Sequence, residues 1–412
     1  MMFNIAGLYG KDADSGKIQE RIDKIAMEHV VAFGVKAEAI FSAPGRTELG
    51  GNHTDHNLGK VLAGAINLDT LAAVHKVPGT TISFMSEGYQ PITINIFDLS
   101  INPEEKGTTA SLIRGIAHAI IKRGGQVGGF CANINSTVLR GSGLSSSASV
   151  EILIGTIFNT LFNNNHFTTT ELAIMGQEAE NIYFGKPSGL MDQIACANGG
   201  VVGIDFQNPA SPIIVPVSID FVDYGYNLVI TSTGSNHANL TDDYASIPKD
   251  MKTVAKFFGK DNLRDVDQKF FISNIAEMRR SLKNDKLILR AFHYYEENNR
   301  VDEMLKALKL GDFQTYLNIV NESGSSSFKY LQNIYSPSNP SEQGISLAYA
   351  MTESFLKGSG AFRVQGGGFA GTIEAYVPCD KTQNYFKHME SVFGQGCCTT
   401  IAIRSLPATR IS

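Results

Sequence analysis

Three places in the chain hold residue types that could do chemistry. The first is Leu139-Arg140-Gly141-Ser142-Gly143-Leu144-Ser145-Ser146-Ser147-Ala148-Ser149-Val150-Glu151. Gly141 and Gly143 let the backbone turn sharply and approach a ligand with no Cβ in the way. The N–H groups of a first helical turn, together with the macrodipole, favour an anion such as phosphate. Ser145, Ser146 and Ser147 add hydroxyls for that anion or for a metal ion beside it. The same pattern also fits a plain strand-turn-helix corner with serines as N-caps. It is not a Walker-type P-loop, because no Gly-Lys-Ser/Thr follows the glycines, and it lacks the third glycine of a dinucleotide fingerprint.

The second place is Ala43-Pro44-Gly45-Arg46-Thr47-Glu48-Leu49-Gly50-Gly51-Asn52-His53-Thr54-Asp55-His56-Asn57. So polar a segment at the end of a strand is either a surface loop or a ligand-facing one. Arg46 offers a guanidinium fork for phosphate or carboxylate, and His53 and Asp55 offer partners for hydroxyl groups. His53, Asp55 and His56 lie close together, but no neighbouring ligand set completes a zinc sphere. The third place is Asp192. Pro187 and Gly189 break a helix and a new one starts near Leu190, which puts this carboxylate in a first helical turn. There it either complements the macrodipole, worth at most about 1 kcal/mol, or serves as a catalytic or metal-binding acid.

The elements that position these groups follow from periodicity. Phe130, Ala132, Ile134, Ser136 and Val138 alternate as a strand before the glycines; Val150, Leu153, Ile154, Ile157, Phe158, Leu161 and Phe162 repeat as a helix after them. A leading helix is expected within residues 11–36, then a strand at 39–42 with the polar loop following it. Further strands are expected at 61–66, 71–74, 81–84, 92–96, 199–206 and 226–233, and helices at 109–123, 168–183, 287–300 and 301–310. Residues 336–341 read as a loop, and Gly366-Gly367-Gly368-Phe369-Ala370-Gly371-Thr372 as a second glycine-rich turn entering a strand. A domain break near residue 218 divides the chain into 1–217 and 218–412.

Composition narrows the function. With 412 residues, 43% hydrophobic and 18% charged, the chain suits a soluble globular protein of two domains or more. A net charge of −5 gives no basic excess to hold nucleic acid or an anionic membrane. The N-terminus lacks a signal-peptide pattern, no apolar run spans a bilayer, and the five cysteines form no CxxC pair. A cytoplasmic protein with reduced thiols is expected.

Taken together, the motifs and their order resemble the galactokinase family of the GHMP small-molecule kinases. The Pro44-Gly45-Arg46 to His56 segment is similar to the family's sugar signature, and Gly141 to Ala148 to the superfamily's phosphate loop. Gly366 to Thr372 is the third motif. Between them lie Gly189-Leu190-Met191-Asp192-Gln193, close to the catalytic segment, then Arg290-Ala291-Phe292-His293, Glu297-Asn298 and Arg300-Val301. The resemblance runs from about Ala43 to the C-terminus.

It implies an α+β, two-domain fold, with a ribosomal-protein-S5-like N-terminal domain, a ferredoxin-like C-terminal domain and the active site in the cleft between them. The implied reaction moves the γ-phosphoryl group of ATP to the anomeric hydroxyl of a free hexose, with galactose foremost. By match to the motifs, Asp192 is the acid beside the C1 hydroxyl and Arg46 its electrostatic partner. Gly141, Ser142, Gly143, Leu144, Ser145, Ser146, Ser147 and Ala148 hold ATP, and Ser147 and Glu180 serve Mg²⁺. Asn52, His53, Asp55, Gly189 and Tyr244 hold the sugar; Tyr244 follows Ser235-Asn236-His237 as the family pattern requires. A monomer acting on a small sugar and ATP, without nucleic acid or membrane, is expected. Whether Asp192 acts as a true base or only orients the hydroxyl stays open.

The sugar segment departs from the family. Its usual Asn-Leu-Ile-Gly-Glu-His-Thr-Asp-Tyr stands here as Glu48-Leu49-Gly50-Gly51-Asn52-His53-Thr54-Asp55-His56. An amide and a histidine in place of a carboxylate and a tyrosine could accept a hexuronate such as galacturonate, or another C6- or C2-modified sugar. Asn321-Glu322-Ser323-Gly324-Ser325-Ser326-Ser327 is a second departure, since the family commonly has His and Arg after the serine. A galactokinase-like sensor that binds sugar and ATP is the reading from another class. The intact Ser147-Ala148 pair, with Asp192 and Arg46, favours the enzyme.

Overall fold

The computed structural model describes residues 4–139, 141, 143–234 and 240–412. Arg140, Ser142 and the Ser235-Asn236-His237 run named above lie outside the described residues.

Twelve strands are present among the described residues: β1 (Ala39–Gly50), β2 (Lys60–Val77), β3 (Thr81–Ser86), β4 (Ile92–Asn95), β5 (Gly129–Ser136), β6 (Val201–Asp205), β7 (Ile213–Val217), β8 (Tyr226–Ser232), β9 (Ala361–Gln365), β10 (Thr372–Pro378), β11 (Cys398–Ile401) and β12 (Thr409–Arg410). They form two sheets. The first runs β12-β1-β2-β5-β3-β4, with β6 also on β2 and β7 on β6. Only β3 and β5 pair in parallel there. The second runs β11-β8-β10-β9 and is antiparallel. After β11 the chain returns to the first sheet, where β12 pairs β1 and Ile403 bridges Ile66.

Two expected strands, 61–66 and 71–74, are one. β2 runs through Asn67 and Asp69 because their polar groups are met inside the protein: Asp69 accepts from Tyr9 at 2.8 Å and from Arg21 and Ser42 at 2.5 Å each. β1 also continues further than its apolar start suggests, to Gly50, with irregularities between Pro44 and Arg46 and between Glu48 and Gly50. Half of the polar segment expected as a loop is therefore a buried strand, and its Arg46, Thr47 and Glu48 point into the interior.

Helices Thr109–Lys122, Ser146–Phe162 and Thr169–Glu178 cover one face of the first sheet and share a core with Phe41, Val74 and Phe130. Helix Ser15–Phe33 covers the other face through Ile22 and Ile25. The expected helix at 168–183 starts in a Thr168–Glu171 capping box, but after Glu178 it widens into a π-turn, Ala179–Phe184, closed by Gly185 at φ 81°. Such turns often mark functional sites, and this one carries Glu180. The helices expected at 287–300 and 301–310 are a single one, Asp285–Leu310. It crosses behind β1 and β2 and packs Val301 and Met304 against Leu49 and Leu62, which ties the second half of the chain to the strand that carries Arg46.

Candidate active site

β1 delivers Arg46 to the first turn of helix Met191–Asn198. Its Nε donates to Asp192 Oδ1 at 2.8 Å, and its Nη1 donates to the Gly143 carbonyl. The other Asp192 oxygen accepts from the Ser145 hydroxyl. The sugar segment, the lone acid and the phosphate loop thus meet at one guanidinium and one carboxylate. Burial pushes the Asp192 carboxyl up, but the Arg46 charge and the hydrogen bonds from Arg46 and Ser145 outweigh it and leave the group below its ordinary value. Asp192 is ionised at neutral pH. Its macrodipole reading is insufficient, because both oxygens are held by side chains from other elements.

Ser145 stands at the N-terminus of helix Ser146–Phe162 with φ 57°, and its side chain makes no cap hydrogen bond. The simple N-cap reading therefore fails for this serine, whose hydroxyl turns to Asp192 instead. Leu144 is buried behind it; Ser146 and Ser147 open the helix half-buried, and Ala148 is fully packed. Gly141 is exposed, at φ 69°. Gly143, at φ 71°, lies against the second glycine-rich turn: a Cβ there would sit 3.2 Å from the Gln365 carbonyl. Gln365 in turn donates to the Gly143 carbonyl at 3.3 Å.

A cavity of about 220 Å³ opens beside Arg46 and Asp192 and is lined by Glu48, Gly51, Asn52, His53, Asp55, His56, Lys186, Pro187, Ser188, Gly189, Met191, Gly366 and Gly367. All but one of the expected sugar contacts lie on its wall. Glycine is required at Gly189, where a Cβ would fall 1.8 Å from Asp55 Oδ2. His53 donates from Nε2 to the Gly367 carbonyl at 2.8 Å, and burial pushes its pKa down to about 3, so the ring is neutral. Asp55 accepts from the His56 backbone N–H at 3.0 Å. Among the described residues no group of three or more His, Cys, Asp or Glu is arranged to hold a metal. Tyr244 is the exception to the cavity set. It stands behind Gly367, with its hydroxyl on the Gly368 carbonyl at 3.0 Å and its ring edge-on to Phe369.

Asn52 reaches this cavity with its hydrogen-bonding capacity spent. Its Nδ2 donates to Glu48 Oε1 and to the Gly366 carbonyl, each at 2.8 Å, and its Oδ1 accepts from Asn333 at 2.8 Å. Glu48 is paired with Arg363 Nη2 at 2.9 Å. Against the family pattern, acid and amide have exchanged positions 48 and 52, and the two remain in contact. The segment 321–327 explains itself here as well. A Cβ on Gly324 would lie 2.7 Å from the Phe362 carbonyl, so the β9 backbone that carries Arg363 leaves no room for a larger residue. Ser323 donates to Glu297 at 2.5 Å, and Ser326 bonds His293, whose other nitrogen donates to the Asn52 carbonyl at 2.9 Å.

Beyond Asp192, Glu180 is buried and accepts from Lys186 Nζ at 3.0 Å, Ser188 Oγ at 2.6 Å and Gln193 Nε2 at 3.0 Å. Gln193 also donates to Glu151 at 2.9 Å. Burial, reinforced by the nearby Glu180 charge, holds Glu151 well above the usual carboxylate range. Lys186, Gln193 and Glu151 were not singled out from the sequence. Glu151 did leave a signal there, as a carboxylate one residue after Val150 on a helix whose neighbours are apolar.

The chain's residues 27–76 match the galactokinase galactose-binding signature, and residues 111–200 match the GHMP kinase N-terminal domain. It is 31% identical to a galactokinase of Glaesserella parasuis over 365 residues, 85% of this chain and 88% of that protein. The chain belongs to the galactokinase family. A second relative, a galactokinase of Actinobacillus pleuropneumoniae, is also 31% identical, over 84% of this chain and 87% of its own length. The fold agrees with the galactose-complexed galactokinase of Lactococcus lactis, at a TM-score of 0.80 and 23% identity, covering 95% of this chain and all of that one. It agrees less closely with the mevalonate kinase of Methanococcus jannaschii, at a TM-score of 0.62 and 16% identity, covering 88% and 98% of the two chains. This galactokinase-family member is thus a sugar kinase of the GHMP fold that uses ATP, with mixed α and β structure in two sheets.

Proposed function

We propose that this chain transfers the γ-phosphoryl group of Mg-ATP to the C1 hydroxyl of D-galactose. The observation that carries the reading is the Arg46–Asp192–Ser145 contact, where a hexose-sized polar cavity meets the phosphate loop. The oxygen–phosphorus bond forms at C1, the γ-phosphorus to bridging-oxygen bond breaks, and the electron pair leaves with ADP. The hydroxyl proton goes to Asp192, whose ionised but weakly basic carboxylate can take it late in the transfer. Arg46 keeps that carboxylate ionised and oriented. Such transfer needs positioning and charge neutralisation rather than covalent catalysis.

His53, Asp55 and Gly189 are assigned to the sugar, with Tyr244 behind Gly367 as a backing residue and Asn52 as a wall. Gly141 to Ala148, including Ser142, are assigned to the nucleotide phosphates. Glu180 and Ser147 are assigned to Mg²⁺. The fit is supported by the ammonium that Glu180 already balances at 3.0 Å, and by the habit of Mg²⁺ to take one or two protein oxygens and complete its sphere with phosphate and water. When bound, Mg²⁺ supplies charge neutralisation at the phosphates.

Residues 1–217 are assigned to the sugar- and ATP-binding domain and 218–412 to the second, whose last strand, β12, rejoins the first sheet. A cytoplasmic monomer is proposed. Its five free cysteines suit a reducing compartment, and no helix among the described residues is long and apolar enough to cross a membrane.

Galacturonate draws its support from Asn52, and the spent amide of that residue argues for galactose. Coupled ADP release over D-galactose, D-galacturonate, N-acetylgalactosamine and glucose decides it. Fastest turnover on galactose is expected. Fastest turnover on the uronate overturns the substrate, and no turnover on any sugar with nucleotide still bound brings the sensor forward.

A further inference from the structure

Among the described residues, Lys186 is the one lysine or arginine on the cavity wall besides Arg46, and the reaction described above leaves it without a task. It sits between Gly185, in the left-handed region at φ 81°, and Pro187, which restrict its backbone, while its side chain is 60% exposed. Its ammonium rests 3.0 Å from Glu180 Oε1, and Lys186 lines the same cavity as Asp192. Ser188 and Gln193 both donate to the other oxygen, Oε2, which keeps these partners when the ammonium leaves Oε1. A divalent cation and an ammonium cannot both sit against one oxygen pair without strong mutual repulsion.

We propose that Lys186 is a phosphate-side cation that occupies Glu180 until the divalent metal arrives with the nucleotide, then moves to the transferring phosphoryl group. The inference rests on the kinase reading above, with Glu180 as a metal ligand. Lys186 keeps its protons throughout and supplies charge alone. It gives the γ-phosphoryl oxygens a second positive partner besides Arg46, and its departure from Glu180 couples metal arrival to completion of the site.

The exchange predicts opposite signs for two substitutions, measured on the full chain as the Mg²⁺ concentration that half-saturates ADP binding by calorimetry. Lys186→Met removes the competitor, so half-saturation falls by about fivefold, the low end of ordinary coupling between two ligands of one site. Lys186→Arg grips Glu180 through a two-pronged contact, so half-saturation rises. In turnover, Lys186→Met lowers kcat by about tenfold or more through loss of a preorganised charge at the phosphoryl group, while Lys186→Arg retains most of it. A merely structural partner of Glu180 would shift both variants in the same direction, and that result overturns the proposal, as does an unchanged kcat in Lys186→Met. If the wild-type chain phosphorylates no sugar, the kinase reading fails on its own, and the opposed Mg²⁺ shifts still decide whether Lys186 and the metal share Glu180.

Discussion

Two layers of charge lie within a few residues of each other in this protein and are built on opposite terms. The wall of the cavity holds Asp192 and Lys186, partly exposed, each tied to a neighbour that a ligand could share. The layer behind it holds Glu297 and Arg363, with Glu48 and Asn52 joining it to the wall, all four buried. There Glu297 accepts from the Gly51 backbone at 3.0 Å and from Arg300 at 2.7 Å; burial pushes it up, but Arg300 and its neighbours bring it down to about 2. Burial pulls the Arg363 guanidinium down, and the surrounding charges of Glu48, Glu374 and Glu297 more than reverse that. Like residue types thus serve different ends. In front they leave hydrogen-bonding capacity for a substrate; behind, that capacity is consumed in holding the sugar segment to helix Asp285–Leu310 and to β9.

The sharpest way to break the comparison is to neutralise one group in each layer. Asp192→Asn keeps the shape of the front layer and removes its charge. We expect kcat to fall by about 10³-fold, within the range for loss of a positioned acid or base, with nucleotide binding retained. A loss below tenfold in coupled ADP release would mean that Asp192 neither takes the proton nor orients the hydroxyl.

Behind, the expected loss is in stability. Asn52→Glu sets a second carboxylate beside Glu48 and faces it with the Gly366 carbonyl, which only accepts. It should cost about 3–5 kcal/mol in urea unfolding, the usual penalty for an uncompensated buried charge. The exchange Glu48→Asn with Asn52→Glu restores one acid and one amide to the pair. The double variant should recover about 1–3 kcal/mol relative to the sum of the single losses. Simple additivity would show that positions 48 and 52 do not act as a unit.

The two layers were unequally legible in the sequence. The front layer is written in local motifs: glycines around Ser145, the Arg46 and Asp55 segment, and Asp192 after a helix break. Each could be read because its chemistry sits within a dozen residues. The rear layer is assembled from afar. Glu48 meets Arg363 across 315 positions and Gly51 meets Glu297 across 246; Arg363 carries no local signal, and the motif that holds Glu297 does not name its partner. For the same reason the sequence reads as a loop after Ser42, since polar residues continue a strand only where distant groups satisfy them. Tyr244 shows the limit on the front side, because a motif gives a residue's identity and not the side of Gly367 on which its ring packs.

The smallest effect sharpens the boundary between the layers. Glu374 accepts from Thr47, the residue next to Arg46, at 2.6 Å, and burial raises its pKa to about 7 from the ordinary 4.5, against the opposing pull of Arg363 and Arg46 and with a further push from Glu48. A raised folded-state value means that the native protein binds the extra proton, so this group's stabilisation is complete below about pH 4.5 and is lost as pH rises through about 7. Glu374→Gln removes that slope. Its stability relative to the wild type should climb between pH 5 and pH 8 by up to about 3 kcal/mol, following the shift at 1.36 kcal/mol per pH unit. Parallel unfolding curves at the two pH values would place Glu374 with the ionised groups of the rear layer. A widening gap would make it a carboxylate that holds a proton at the edge of the active site.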